Sequence, residues 1–342
     1  VDLAGPDLLE RHYQGSPNQL GAIMAKMGVV GAADYYIVSG PRQRLYFLSF
    51  LLRAQVPNAE KRIVTIPMPL DPHVPTREAV HGDANAFPRF VFGGVFLPWQ
   101  DPSAALEQVA ASVLERNKGS LTLIGGAHPN YPIKEGVYAK LFHELGKNPR
   151  VVTKPLLPYS QFLDALGQAD VAVDLMKWNL ERELAMTIRS TTYLWAGVPV
   201  IYNDYADLGE LIRRYDAGWC VSPSNRAQLA DVLDSIVSDP AAVAVKSQNA
   251  SRLARELFSW DRAVEPLLPF LSVSERGKLR ETDIIVDFPD SASFPLVDGH
   301  QVEQYFVCRI DGLSRVECRI ATHGRAISSP IAFSLYEVPE AP

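Results

Sequence analysis

Long apolar runs, cysteine and an excess of basic charge are all scarce in this 342-residue chain. Its apolar stretches are short and interrupted, well below the ~20 consecutive apolar residues a bilayer-spanning helix needs. No basic-then-apolar leader opens it. The first residue is Val1 rather than Met, so the start reads as a cut or processed end and leaves a removed leader open. Only Cys220, Cys308 and Cys318 occur; their odd number is no disulfide framework and their spacing fits no metal, so they read as reduced, buried thiols in a cytoplasm. Lys and Arg total 33 against 39 Asp and Glu, a net charge of −6. That balance argues against nucleic acid as a partner while leaving room for a local phosphate pocket. No C-x-x-C, H-E-x-x-H or carboxylate cluster calls for a metal. What is plentiful is hydrophobic material, 47% of residues, enough for two or three domains with cores of their own.

Along the chain, residues 1–70 carry two helical patterns, an apolar strand YYIVS, a helix QRLYFLSFLLRA and a strand RIVTIP. This is the closing third of a Rossmann-like domain without the βα units that should precede it. Asp71 to Ala86 is polar, with proline, histidine and glycine, as a linker between lobes should be. Strands and helices then alternate. RFVFGG, SLTLIGG, RVVTK, VAVDLM, PVIYND and GWCVS read as strands, and five amphipathic stretches between and after them as helices. Short connections and nearly all-apolar strands predict a parallel sheet covered on both faces, hence an α/β, doubly wound domain over 71–273. Two further helical stretches close it. After about Ser274 the period changes from 3.6 to 2, and EQYFVCRI, SRVECRIAT and PIAFSLYEV predict an all-β, sandwich-like module over 274–342.

The densest chemistry lies between Glu181 and Asp204. A strand (VAVDLM) runs into an acidic loop, a helix starting near Arg189 and a second buried strand, which is the sheet edge where such folds hold ligands. Arg189, Ser190 and Thr191 fall at the helix N-terminus, where backbone N–H groups and the dipole favour an anion such as a diphosphate. A cation set against that field suggests an anionic partner; a plain surface arginine is the other reading. Glu181 and Glu183, just upstream, are placed to accept hydrogen bonds from sugar hydroxyls, or to serve as a solvated or capping loop. Gly93 and Gly94 let the backbone approach a ligand closely, or simply make a tight turn. Asp101 is expected to cap the helix DPSAALEQ. Trp99 is read either as stacking on a ligand or as wedging the lobes. His128, in GGAHPNY at the end of the next strand, is a candidate sugar contact or an ordinary loop histidine.

The stretch R-x-x-x-Y-L-W-A-G-V-P-V-I from Arg189, with an acidic residue shortly before it, resembles the donor-site signature of GT-B glycosyltransferases, in particular a bacterial branch similar to glycosyltransferase family 4. Three more stretches match in order: VDLAGPDLLE (Asp2, Pro6, Glu10), ADYYIVSGPRQR (Ala33, Asp34, Ser39, Gln43, Arg44) and FGGVFLPWQDP (Gly93, Gly94, Trp99, Asp101). The resemblance implies two Rossmann-like lobes, the first incomplete here, with a crossover kink at Ser259–Trp260. It implies transfer of a sugar from a nucleotide diphosphate sugar to a glycan or lipid-linked acceptor, with retention, in surface polysaccharide or O-antigen synthesis. It places Tyr159 near the nucleobase, with a helix-start aromatic packed into the core as the other reading. Ser190, Thr191 and Thr192 join the donor contacts, with Glu181 and Arg189 as the central pair. The chain departs from its relatives at Thr192, where a ribose-binding carboxylate is usual; a hydroxyl there lacks charge assistance. No cofactor beyond the donor and no metal is implied, and the location is cytoplasmic, peripheral to the inner membrane. Two rivals stand beside this: a noncatalytic sugar-nucleotide or glycan-binding module, and an epimerase of the same fold, which needs acid/base residues not placed here.

Overall fold

A strand buried on both faces must be largely apolar; VAVD and VIYN are buried at every position, and all six stretches expected as strands in the second lobe form strands, with VVTK exposed beyond Val151. The computed structural model describes residues 3, 5–15, 19–71, 86–95, 97, 99–127 and 137–271. Strands β3 (Arg89–Val95), β4 (Ser120–Gly126), β5 (Val151–Lys154), β6 (Val171–Asp174), β7 (Val200–Asn203) and β8 (Gly218–Val221) make one parallel sheet in the order β5-β4-β3-β6-β7-β8. Before them, β1 (Tyr36–Val38) and β2 (Ile63–Thr65) pair in parallel in the first lobe, and Leu3 donates its N–H to Ile37 O at 2.8 Å on the outer side of β1.

The helices of the first lobe are α1 (Asp7–Tyr13), α2 (Gln19–Ala32), α3 (Pro41–Arg53) and a single turn, α4 (Ala59–Arg62). In the second lobe α5 (Ser103–Glu115), α6 (Val137–Leu145) and α7 (Tyr159–Gly167) follow successive strands. Next come α8 (Leu180–Leu184), α9 (Ile188–Trp195), α10 (Asp207–Tyr215) and α11 (Arg226–Ser238). The last are α12 (Pro240–Leu253), α13 (Trp260–Val264) and α14 (Leu268–Leu271). One face of the sheet packs a core including Phe90, Phe92, Leu106, Val109, Leu121, Leu123, Val171 and Val173; the other packs Val91, Ile124, Ala172, Tyr193, Leu194, Val200 and Tyr202. Each fully buried Val, Leu or Ile contributes about 1.5–3 kcal/mol, which is why both faces are covered. The first lobe has its own smaller core around Tyr36, Val38, Phe47 and Leu51.

The chain kinks at Ser259–Trp260, the position that the family resemblance implies. After α12, residues Ala254–Phe258 widen into one π-helical turn, Ser259 is extended (φ −64°, ψ 147°), and α13 begins at Trp260. There the chain returns to the first lobe: Leu70 donates to Phe258 O at 2.6 Å and bridges Ser259. Two short elements were not foreseen. The acidic stretch expected as a loop holds α8, started by Asn179, whose side-chain oxygen accepts Arg182 N–H at 2.9 Å, and α4 interrupts the approach to β2.

The chain divides into units Val1–Ser274 and Glu275–Pro342. The predicted β-sandwich, Cys308, Cys318 and His128 lie outside the described residues. Cys220 is partly buried, its Sγ 3.2 Å from Gly209 O, and burial pushes its thiol up to about 11. No helix among the described residues is long and apolar enough to cross a membrane.

Candidate functional site

The strand order reverses between β3 and β6, the point where an open α/β sheet forms a crevice at its C-terminal edge. Pairing between them covers only Phe90↔Val171 and Val91↔Ala172. β3 runs on to Val95 and β6 to Asp174, so the two strands part at their C-terminal ends. Side chains of α9 and α7 fill the gap. Tyr193, one turn into α9, accepts Gly93 N–H at 2.8 Å and donates to Gly93 O at 3.1 Å, fixing α9 against β3.

Arg189 points into this gap. Its Nη1 donates to Asp174 Oδ1 at 3.1 Å, its Nη2 to Gln100 Oε1 at 2.6 Å, and its guanidinium lies 5.1 Å from the Phe92 ring centroid. The anionic partner that a cation at a helix N-terminus requires is therefore supplied first from within the chain, by Asp174, whose side chain is 1% exposed. Ser190 Oγ donates to the second Asp174 oxygen. Arg189 Nε is buried with no hydrogen-bond partner. A Cβ on Gly94 (φ +154°) would sit 2.7 Å from that Nε, and one on Gly93 would sit 2.4 Å from the Phe162 ring. Both glycines are thus needed for close approach by Arg189 and Phe162, which is the observed reason for the pair.

The N-terminus of α9 is open. Its N-cap residue, Thr187, belongs to the type whose hydroxyl ordinarily accepts a first-turn N–H, yet α9 has no side-chain cap. The Thr187 hydroxyl pairs instead with Tyr202 OH at 3.0 Å. A diverted cap leaves first-turn N–H groups for another acceptor. Lys177, on the loop between β6 and α8, is an exposed cation on the same sheet edge.

Glu181 and Arg182 form a buried pair, 2% and 6% exposed, with Nε to Oε2 at 2.5 Å and Nη2 to Oε1 at 2.6 Å. Both Glu181 oxygens are thereby engaged. Glu183 is half-buried, accepting Trp178 Nε1–H at 2.8 Å and lying 3.8 Å from Arg42 Nε of the first lobe. From the first lobe, Glu10 approaches Glu181 and Arg182. Burial raises its carboxyl above the ordinary carboxylate value, the Glu181 charge adds to the rise, and Arg182 opposes it.

Thr191 and Thr192 are buried, and each hydroxyl donates to Ile188 O at 2.9 Å inside α9. Tyr159, at the start of α7, is 60% exposed rather than packed into the core. Asp101 accepts Ser103 N–H at 3.0 Å at the start of α5, the expected capping contact made one residue further out. Trp99 is buried; its carbonyl accepts Asn179 Nδ2–H at 2.6 Å, and Asp101 O accepts Lys177 N–H at 2.7 Å, stitching the loop after β3 to the loop after β6. Asp174, Thr187 and Arg182 were not singled out from sequence. Asp174 had one available signal: it is the lone charge in an otherwise apolar strand.

The lobes are joined by Arg42, at the start of α3. Its guanidinium pairs with Asp207 and reaches Glu210 at 3.4 Å, while its backbone N–H donates to Asp207 Oδ2 at 3.0 Å. Among the described residues no group of His, Cys, Asp and Glu is arranged to hold a metal ion.

No protein-family model and no curated protein matches the chain. Solved structures do. Sucrose-phosphate synthase from Thermosynechococcus elongatus aligns with TM-score 0.53 and 20% identity over 74% of this chain and 62% of its own. HepE from Anabaena, solved with UDP and glucose, aligns with TM-score 0.56 and 15% identity over 74% and 67%. A variant of TarM from S. aureus, solved with UDP among its ligands, aligns with TM-score 0.51 and 17% identity over 70% and 44%. The chain thus spans about 62% of the synthase and 44% of TarM. The described residues have the α/β fold, with a parallel sheet, of GT-B glycosyltransferase structures.

Proposed function

We propose that this chain is a glycosyltransferase lobe pair that binds a nucleotide diphosphate sugar, with the diphosphate at the N-terminus of α9. The observation that carries the reading is the uncapped α9 N-terminus at the switch point, its Thr187 hydroxyl diverted to Tyr202. The fold supports it, and so do the bound UDP and glucose of HepE, a protein of similar fold.

The roles follow from the contacts. The first-turn N–H groups of α9, with its dipole, stabilise charge on the leaving diphosphate, as any preorganised anion site does. Arg189 is held by Asp174 and Gln100, and its positive field acts on the same crevice. Glu181 acts through Arg182: the buried pair fixes α8 and the turn into α9. Tyr159, exposed at the same edge, is the candidate nucleobase contact. The acceptor is a glycan or lipid-linked saccharide, transfer proceeds with retention, and the setting is surface polysaccharide synthesis on the cytoplasmic side of a membrane.

A second reading, a noncatalytic sugar-nucleotide-binding module, draws on Thr192, whose hydroxyl is spent inside α9 at a position where the family resemblance implies a carboxylate. A thermal-shift panel of nucleoside diphosphates and their sugars tests the shared part, since a ligand at 100 times its Kd adds about 2.7 kcal/mol. No stabilisation by any member refutes the proposal. Binding without donor turnover, in a protein that includes any further first-lobe segments, favours the second reading.

A further inference from the structure

Three large apolar side chains stand exposed within eleven residues of one another around α8 and the start of α9: Trp178 (52%), Leu180 (50%) and Ile188 (57%). They lie on the sheet edge that holds the α9 N-terminus, where the second lobe meets the first. Leu180 N–H donates to Tyr13 OH of α1 at 3.3 Å, and Glu183 lies 3.8 Å from Arg42 of α3. Trp178 is half exposed and yet its orientation is set, because its Nε1–H donates to Glu183 Oε2 at 2.8 Å.

We infer that Trp178 is a platform for one pyranose ring of the acceptor saccharide, with Glu183 as the residue that positions it. A pyranose presents a face of C–H groups and an edge of hydroxyls. A flat indole matches the first. The half-exposed Glu183 carboxylate and Arg42 guanidinium at its border offer an acceptor and donors for the second. An indole whose N–H is already satisfied has little rotamer freedom left to lose when a ring stacks on it, so the site is preorganised. Position separates this ring from the donor: Trp178 precedes α8, on the side of the first lobe, while the open N–H groups are those of α9. The inference rests on the donor reading above.

The test uses methyl glycosides of glucose, galactose, mannose and N-acetylglucosamine as probes, followed by saturation-transfer NMR on the whole chain. At least one glycoside is expected to show transfer concentrated on the C–H protons of one ring face. Trp178→Ala should weaken that binding about tenfold or more. Trp178→Phe should retain part of it, and Glu183→Ala should weaken it by releasing the indole. Affinity for nucleoside diphosphate and for the intact sugar nucleotide should be unchanged in all three variants. Absence of glycoside binding to the wild type, or equal binding to Trp178→Ala, overturns the inference while the donor reading stands. Loss of nucleotide or of sugar-nucleotide binding in a folded Trp178→Ala variant also overturns it, because it places Trp178 in the donor site.

Discussion

Replacing Glu181 by glutamine separates a residue that touches sugar from one that holds the fold. In the wild type its two carboxylate oxygens take Nε–H and Nη2–H of Arg182 at 2.5 and 2.6 Å, with 2% and 6% of the two side chains exposed. Burial of Arg182 opposes its charge, and Glu181 is the main group that restores it, with Asp174 next. Glu181→Gln removes the counter-charge and leaves a buried guanidinium, a change that costs about 3–5 kcal/mol. For a unit of this size each kcal/mol moves Tm by about 2–4 °C, so a fall of roughly 6–20 °C is expected. The double variant Glu181→Gln/Arg182→Gln, which leaves no unpaired charge, should recover most of the loss. Differential scanning calorimetry of the three proteins reads the cycle. The folded fraction of Glu181→Gln should bind nucleotide sugar nearly as the wild type does. A loss below about 1 kcal/mol, the worth of an exposed pair, together with weakened binding of the sugar conjugate but not of the free diphosphate, would refute the positioning role and restore direct sugar contact.

Two further outcomes follow from particular contacts. Because burial raises the Glu10 carboxyl pKa, the folded state holds its proton more tightly than the unfolded chain; stability is full below the ordinary carboxylate pKa and declines as pH rises through the folded value. Glu10→Gln should therefore raise Tm at pH 7 and leave it nearly unchanged at pH 4, and a larger gain at pH 4 would contradict the sign. Gly94→Ala places a methyl 2.7–2.9 Å from Arg189 Nε, Cζ and Nη2, forcing the guanidinium off Asp174 or Gln100. Its expected stability loss by urea titration is about 1.5–3 kcal/mol, one charge-assisted hydrogen bond, and an unchanged midpoint would show that the loop yields freely.

Much of the fold was legible because burial on both faces leaves a strand no choice of residue type. VAVD and VIYN are buried at every position, and a run of apolar residues bounded by Gly, Asn or Asp is its visible trace. The kink at Ser259 was legible through resemblance, not periodicity. A five-residue helix has too few turns for a periodic signal, so α8 hid in an acidic stretch even though Asn179 at its cap was readable. The site was harder. Sequence placed Arg189 at a helix N-terminus and asked for an anion, but the anion nearest in space, Asp174, lies fifteen residues earlier at the end of a strand. Pairings of that kind arise from the sheet edge, not from local spacing. The same holds for Thr187, whose cap hydroxyl is taken by Tyr202 on β7, and for Gly94, whose missing side chain makes room for Arg189.

The claim that the α9 N-terminus receives a diphosphate is tested most directly by calorimetric titration of UDP, GDP, ADP and dTDP, each beside its nucleoside. The proteins are the wild type and the double variant Arg189→Met/Asp174→Asn, which removes the cation without stranding a buried carboxylate. The account predicts that one diphosphate binds the wild type far more tightly than its nucleoside does, and that the double variant, folded by its melting curve, loses about 1.5–3 kcal/mol of that affinity. Equal affinity of wild type and double variant for the diphosphate would contradict the account, because the anion would then be bound elsewhere.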